Sequence, residues 1–97
     1  MELHADHDDL IRAMKAKHDF PGFFPIVMFA KSDLAFTARL HAALEYIQDG
    51  APFEISKRES THKTYISYSV QIHVSSAEEA LERRAFLGKL DGVITTL

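Results

Sequence analysis

The chain has 97 residues, 46% of them hydrophobic, with a formal net charge of -3 and no cysteine. That length suits one compact core and is too short for two domains. The small negative charge offers no general field for phosphate backbones or anionic lipid, and without cysteine there is no disulfide framework, thiolate nucleophile or thiolate metal site.

In chain order, the first nineteen residues stand apart. Residues 1–19 are rich in His, Asp and Lys, carry Leu10, Ile11 and Met14, and predict an N-terminal arm able to form a short helix with Asp8 or Asp9 as N-cap. His4 and His7 lie among Asp6, Asp8 and Asp9, but acidic tails of this kind are ordinarily solvated, so no metal is assigned. Phe20-Pro21-Gly22-Phe23-Phe24-Pro25 then breaks any helix, because each proline biases its predecessor toward extended backbone. The compact domain is expected over 20–97. Its apolar run from Phe20 to Ala30 is too short and too interrupted by proline to span a bilayer, and no basic-then-apolar leader opens the sequence, so a soluble cytoplasmic protein is expected.

A first strand is expected over Ile26–Ala30, apolar on both faces. Ser32 or Asp33 can cap the helix that follows, whose apolar positions Phe36, Leu40, Ala43, Leu44 and Ile47 share one stripe, and Gly50 is placed to end it in a left-handed turn. The second strand, Phe53 to Arg58, turns Phe53 and Ile55 inward and Glu54, Ser56 and Arg58 outward. A loop of roughly Glu59 to Lys63 joins it to the third. Over residues 64–74 the alternation is strict: Ile66, Tyr68, Val70, Ile72 and Val74 are apolar, and Ser67, Ser69, Gln71 and His73 stand between them. Because successive side chains of a strand point to opposite sides, this pattern demands a sheet covered on one face only.

Ser76-Ala77-Glu78-Glu79 reads as a capping box opening a second helix, with a buried stripe through Ala80, the stem of Arg83 or Arg84, Leu87 and Leu90, and Phe86 at its margin. Asp91-Gly92 ends it, and 93–97 form a last strand. The order β-α-β-β-α-β, with right-handed crossovers, predicts an α+β ferredoxin-like sandwich: a four-stranded antiparallel sheet in the order 4-1-3-2, two helices on one face, and the N-terminal arm.

The segment from Phe20-Pro21 into the first strand, the run Tyr65-Ile66-Ser67-Tyr68-Ser69-Val70 and the stretch Leu87-Gly88-Lys89-Leu90-Asp91-Gly92-Val93 resemble the YbeD family of small bacterial proteins, over about Phe20 to Leu97. The resemblance implies a ferredoxin-like fold similar to ACT regulatory domains and a regulatory or binding module rather than an enzyme. Members of that family carry no established activity and are often labelled lipoic-acid-binding regulators. ACT domains hold small effectors at the turn after the first strand. That turn is here Lys31-Ser32-Asp33-Leu34, without the glycine that lets backbone amides approach a ligand.

Three readings follow. The open sheet face is expected to show Tyr65, Ser67, Ser69, Gln71 and His73 flanked by Val27 and Phe29, a modest apolar patch with a polar rim that suits contact with another protein or with a second copy of the chain. An ACT-like sensor of an amino acid or a lipoate-related effector at Lys31, Ser32 and Asp33 is the alternative. Single-stranded RNA binding carries the least weight, because Phe29 and Tyr65 lack the basic-aromatic signature around them. His41, His62 and His73 have no nucleophile at a telling spacing, and no pocket of convergent titratable groups can be assembled. No catalytic residue, metal or cofactor is assigned.

Overall fold

The structure, a computed structural model, describes residues 3–59 and 64–97, with side chains from residue 8 onward. Its elements are α1 (Leu3–Lys17), β1 (Gly22–Lys31), α2 (Leu34–Gln48), β2 (Phe53–Glu59), β3 (Tyr65–Val74), α3 (Ala77–Gly88) and β4 (Val93–Thr96). The strands form one antiparallel sheet in the order β2-β3-β1-β4, which is the expected topology. The alternation in β3 does what it promised: Ile66, Tyr68, Val70, Ile72 and Val74 are buried, and the residues between them are exposed or half-buried.

β1 differs from expectation in length. It begins at Gly22 rather than Ile26, so Phe23 and Phe24 belong to it and Pro25 lies within it. The reason is the direction of the missing donor. Val27 O accepts the Leu97 N–H at 2.8 Å and the Lys31 N–H donates to Gly92 O at 3.2 Å, so odd-numbered residues of β1 turn their backbone groups toward β4. β4 pairs only Met28 to Ala30, leaving Pro25 opposite no strand on that side, where an absent N–H costs no ladder bond. The strand then alternates along its whole length, with Phe24, Ile26, Met28 and Ala30 buried and Phe23, Pro25, Val27, Phe29 and Lys31 on the other face.

α2 and α3 cover the buried face. Phe36, Leu40 and Leu44 of α2 and Ala77, Ala80 and Leu87 of α3 join the strand residues in one core. Tyr68 at its centre packs its ring 5.2 Å from Phe36 and shares a 2.7 Å hydrogen bond between its hydroxyl and Thr37 Oγ1, so its one polar atom is satisfied inside. α2 ends on Asp49 and Gly50, both at positive φ. Gly92 has the stricter requirement: its φ is 104°, and a Cβ there would come within 3.0 Å of the Phe36 ring.

The arm is a helix of four turns. Asp8 and Asp9, expected as N-caps, lie inside it, since nothing from Leu3 onward breaks the chain before Ser32 except the segment around Pro21. Ile11 and Met14 are buried in the core, and Lys15 Nζ lies 3.5 Å from Glu78 Oε2 of α3. His18 stacks edge-on against Phe24 at 5.0 Å. α1 therefore sits in the helical layer beside α3 and leaves the opposite sheet face uncovered. The expected loop residues 60–63, with His62 and Lys63, and the side chains of Asp6, His4 and His7, lie outside the described residues.

Candidate interaction face

The uncovered face is built by the polar half of each strand's alternation. Register places Phe23 beside His73, Pro25 beside Gln71, Val27 beside Ser69, Phe29 beside Ser67 and Lys31 beside Tyr65, while Glu54, Ser56 and Arg58 of β2 lie beside Gln71, Ser69 and Ser67. The seven residues expected on this face, Val27, Phe29, Tyr65, Ser67, Ser69, Gln71 and His73, thus share it.

Its apolar character concentrates at the two ends. At one, the Phe23 and His73 rings meet edge-on at 5.4 Å. At the other, Phe29 and Tyr65 meet edge-on at 6.2 Å and 81°, and with Ile94 and Thr95 they line a shallow concavity of about 270 Å³. Ile94, 55% exposed, reaches this place through an irregularity of pairing: Phe29 pairs with Thr95 and Ala30 with Val93, so Ile94 is the extra residue of a β-bulge. Sequence reading assigned neither Ile94 nor Phe23 to the face. Phe23 was legible, because the period of two in Ile26, Met28 and Ala30 extends back to Phe24. The bulge has no such signal.

At the turn after β1, several backbone donors are taken. Lys31 N–H donates to Gly92 O, Ser32 N–H to Thr64 O at 3.2 Å, and Phe36 N–H to Asp33 O at 3.0 Å. Asp33 caps α2, its Oδ1 accepting the Ala35 N–H at 2.9 Å, and its Oδ2 lies 3.3 Å from Arg39 Nη2. That amide bond first, and the Arg39 guanidinium second, hold the Asp33 carboxyl below the usual carboxylate range. Arg39 also donates to Asp91 O at 3.2 Å and lies over the Phe36 ring, so it ties the turn to the loop before β4. A carboxylate already fills the position that an anionic effector would occupy at this helix N-terminus.

A buried polar cluster escaped sequence reading. Gln48, 4% exposed on the inner side of α2, donates from Nε2 to His73 O at 2.8 Å and Pro52 O at 3.2 Å, and its Oε1 accepts from Arg83 Nη1 at 2.6 Å. Arg83 in turn lies 3.4 Å from Glu79 Oε1, which accepts the Ser75 N–H, while Ser76 Oγ accepts the Glu79 N–H. The capping box expected at Ser76 forms, with the glutamate reaching Ser75 rather than Ser76. This chain of bonds joins α2, α3 and β3, and every member meets a structural partner. A glutamine four residues past Leu44 on the apolar stripe is the one sequence sign of it.

His41 Nδ1 lies 3.3 Å from Glu45 Oε1 on the outside of α2, and its ring meets Phe53 edge-on. Among the described residues no group of three His, Cys, Asp or Glu side chains could hold a metal, and no helix is long and apolar enough to cross a membrane.

Residues 15–97 match the family described as protein of unknown function, DUF493. The YbeD resemblance is consistent with that match. The fold is similar to that of the protein HP0495 from Helicobacter pylori in two solution structures: one has a TM-score of 0.69 and 24% identity over 87% of this chain and 92% of the other, the second a TM-score of 0.58 and 19% identity over 80% and 87%. At those identities the likeness speaks for the fold alone. No curated protein matches the sequence.

Proposed function

The chain belongs to the DUF493 family, whose function is unknown, and from that premise we propose that it is a small non-enzymatic regulatory or adaptor domain that contacts another protein through the uncovered face of its sheet. The observation that carries this reading is the concavity of Phe29, Tyr65, Ile94 and Thr95, three large hydrophobic side chains and a threonine gathered on the uncovered side of the sheet. The chain's inward polar groups point the other way: the Gln48, Arg83 and Glu79 cluster serves packing, the amides of Lys31, Ser32 and Phe36 are bonded to Gly92, Thr64 and Asp33, and the Asp33 carboxylate occupies the helix N-terminus. That leaves effector sensing at Lys31, Ser32 and Asp33 with little to hold a ligand. A flat sheet presenting Ser67, Ser69, Gln71 and His73 also has no means of excluding water from a reaction. A cytoplasmic location and a bacterial regulatory role belong to this reading, as does a domain over 20–97 to which α1 is an addition.

The test is affinity capture with the unaltered chain and with Ile94→Asp as baits, after the two are found to unfold at the same temperature. At least one protein should be retained by the first and lost by the second; an unchanged set of retained proteins would sink the proposal. Sedimentation of Phe29→Lys beside the unaltered chain separates self-association from a foreign partner, since equal monomer masses remove the homodimer.

A further inference from the structure

We infer that the occupant of the Phe29–Tyr65–Ile94 concavity is an acidic segment of a partner protein that inserts an apolar side chain between two cationic flanks, a deepening that rests on the docking reading above. The flanks are Lys31 and Arg58. Lys31 lies beside Tyr65 in the pairing of β1 with β3, and Arg58 lies beside Ser67, in the same cross-strand row as Phe29 and Thr95. With strands about 4.8 Å apart, two strand spacings, roughly 10 Å, separate the Arg58 backbone from that of Phe29, and the Arg58 side chain extends over part of that gap.

Both cations are exposed, and neither has an ion-pair partner among the described residues, whereas Arg12, Lys15, Arg39 and Arg83 each have one. Among the described residues of the three long strands, the one side-chain carboxylate on this face is Glu54, which lies beside Gln71, toward the opposite end. On a chain whose net charge is -3, this end of the sheet is thus a local cationic frame around an apolar recess. Such a frame selects a partner of opposite sign and contributes more to steering and specificity than to raw affinity.

The ring geometry separates this occupant from nucleic acid, which the same cations would also attract. Stacking platforms present ring faces to successive bases. Here the two rings stand at 81° to each other, so one ring's edge is turned into the other, and together with Ile94 they form a recess rather than a shelf. A recess of about 270 Å³ accommodates one apolar side chain.

The test is a titration followed by amide chemical shifts, with three probes: a capped peptide Asp-Leu-Phe-Glu-Leu-Asp, its charge-reversed counterpart Lys-Leu-Phe-Lys-Leu-Lys, and a short oligouridylate. The acidic peptide should shift the amides of Phe29, Ser67, Ile94 and Thr95, with an affinity that falls as salt rises and that drops about fivefold in the Lys31→Glu, Arg58→Glu double variant. Ile94→Asp should abolish the same shifts by spoiling the recess itself. Equal response to both peptides, no response to either, or stronger shifts of these amides by the oligouridylate would each overturn the inference. The two readings fail separately: a lysate partner lost with Ile94→Asp but kept by the double variant leaves the face in place and removes its acidic partner, whereas a set of retained proteins unchanged by Ile94→Asp sinks the docking reading itself.

Discussion

The two faces of β3 are made by one run of ten residues, yet they behave as different materials. Ile66, Tyr68, Val70, Ile72 and Val74 meet helices α2 and α3 and are sealed, while Tyr65, Ser67, Ser69, Gln71 and His73, their immediate neighbours in sequence, remain in reach of water. The covered face is held by close packing and by hydrogen bonds to its buried Tyr68 and Gln48, so each change there disturbs several partners at once. The open face is coupled more loosely, through contacts such as Phe29 with Tyr65 and Phe23 with His73.

The sharpest way to break this contrast is to shorten adjacent side chains. Tyr68→Ala removes the Phe36 contact and the Thr37 hydrogen bond and should cost about 3–5 kcal/mol in denaturant unfolding. Gln48→Ala tests whether the covered side depends on its polar cluster; leaving Arg83 and the carbonyls of Pro52 and His73 without their partner should cost about 1–3 kcal/mol by the same measurement. Gly92→Ala forces a Cβ onto a left-handed backbone against Phe36 and should cost about 1–2 kcal/mol, read as a lowered unfolding midpoint.

At the border between the faces, Asp33→Asn should matter less and in a pH-dependent way. A carboxyl held below its ordinary value of 3.8 stabilises the fold above that pH and loses its contribution as the pH falls through the depressed value. The unaltered chain should therefore lose its advantage over Asp33→Asn in acid unfolding below about pH 4, and a constant difference across that range would refute a contribution from the carboxylate's charge, since asparagine can cap as well. Smallest of all, Ser69→Ala on the open face should stay within about 0.5 kcal/mol of the unaltered chain. If it cost as much as Tyr68→Ala, the contrast between the faces would be lost.

Much of the architecture was legible because it rests on local periodicity. The period of two in β3, the stripe Phe36, Leu40 and Leu44, and the Ser76 cap each follow from which side chains must be hidden and which backbone groups must be satisfied within a few residues. Where two local rules competed, reading failed: prolines at 21 and 25 suggested a break, but β1 runs through Pro25 because its absent N–H faces away from β3. The candidate interaction face was half legible. Its β3 and β1 members followed from alternation, while Ile94 entered only through a bulge, and Gln48 drew no reading because its partner Arg83 comes from α3, 35 residues away.

The sequence by itself determined the elements, their order and the side of each strand that goes inward, because these depend on neighbours within one turn or one pleat. Tertiary structure decided the rest: that Phe29, Tyr65 and Ile94 from three separate strands share one recess, that Lys31 falls beside Tyr65 and Arg58 beside Ser67 in the pairing, and that the first helix packs on the helical layer instead of over the open face. Those facts arise from pairing register and a single extra residue in β4, which are set by the closure of the whole sheet and leave no trace in any short stretch of chain.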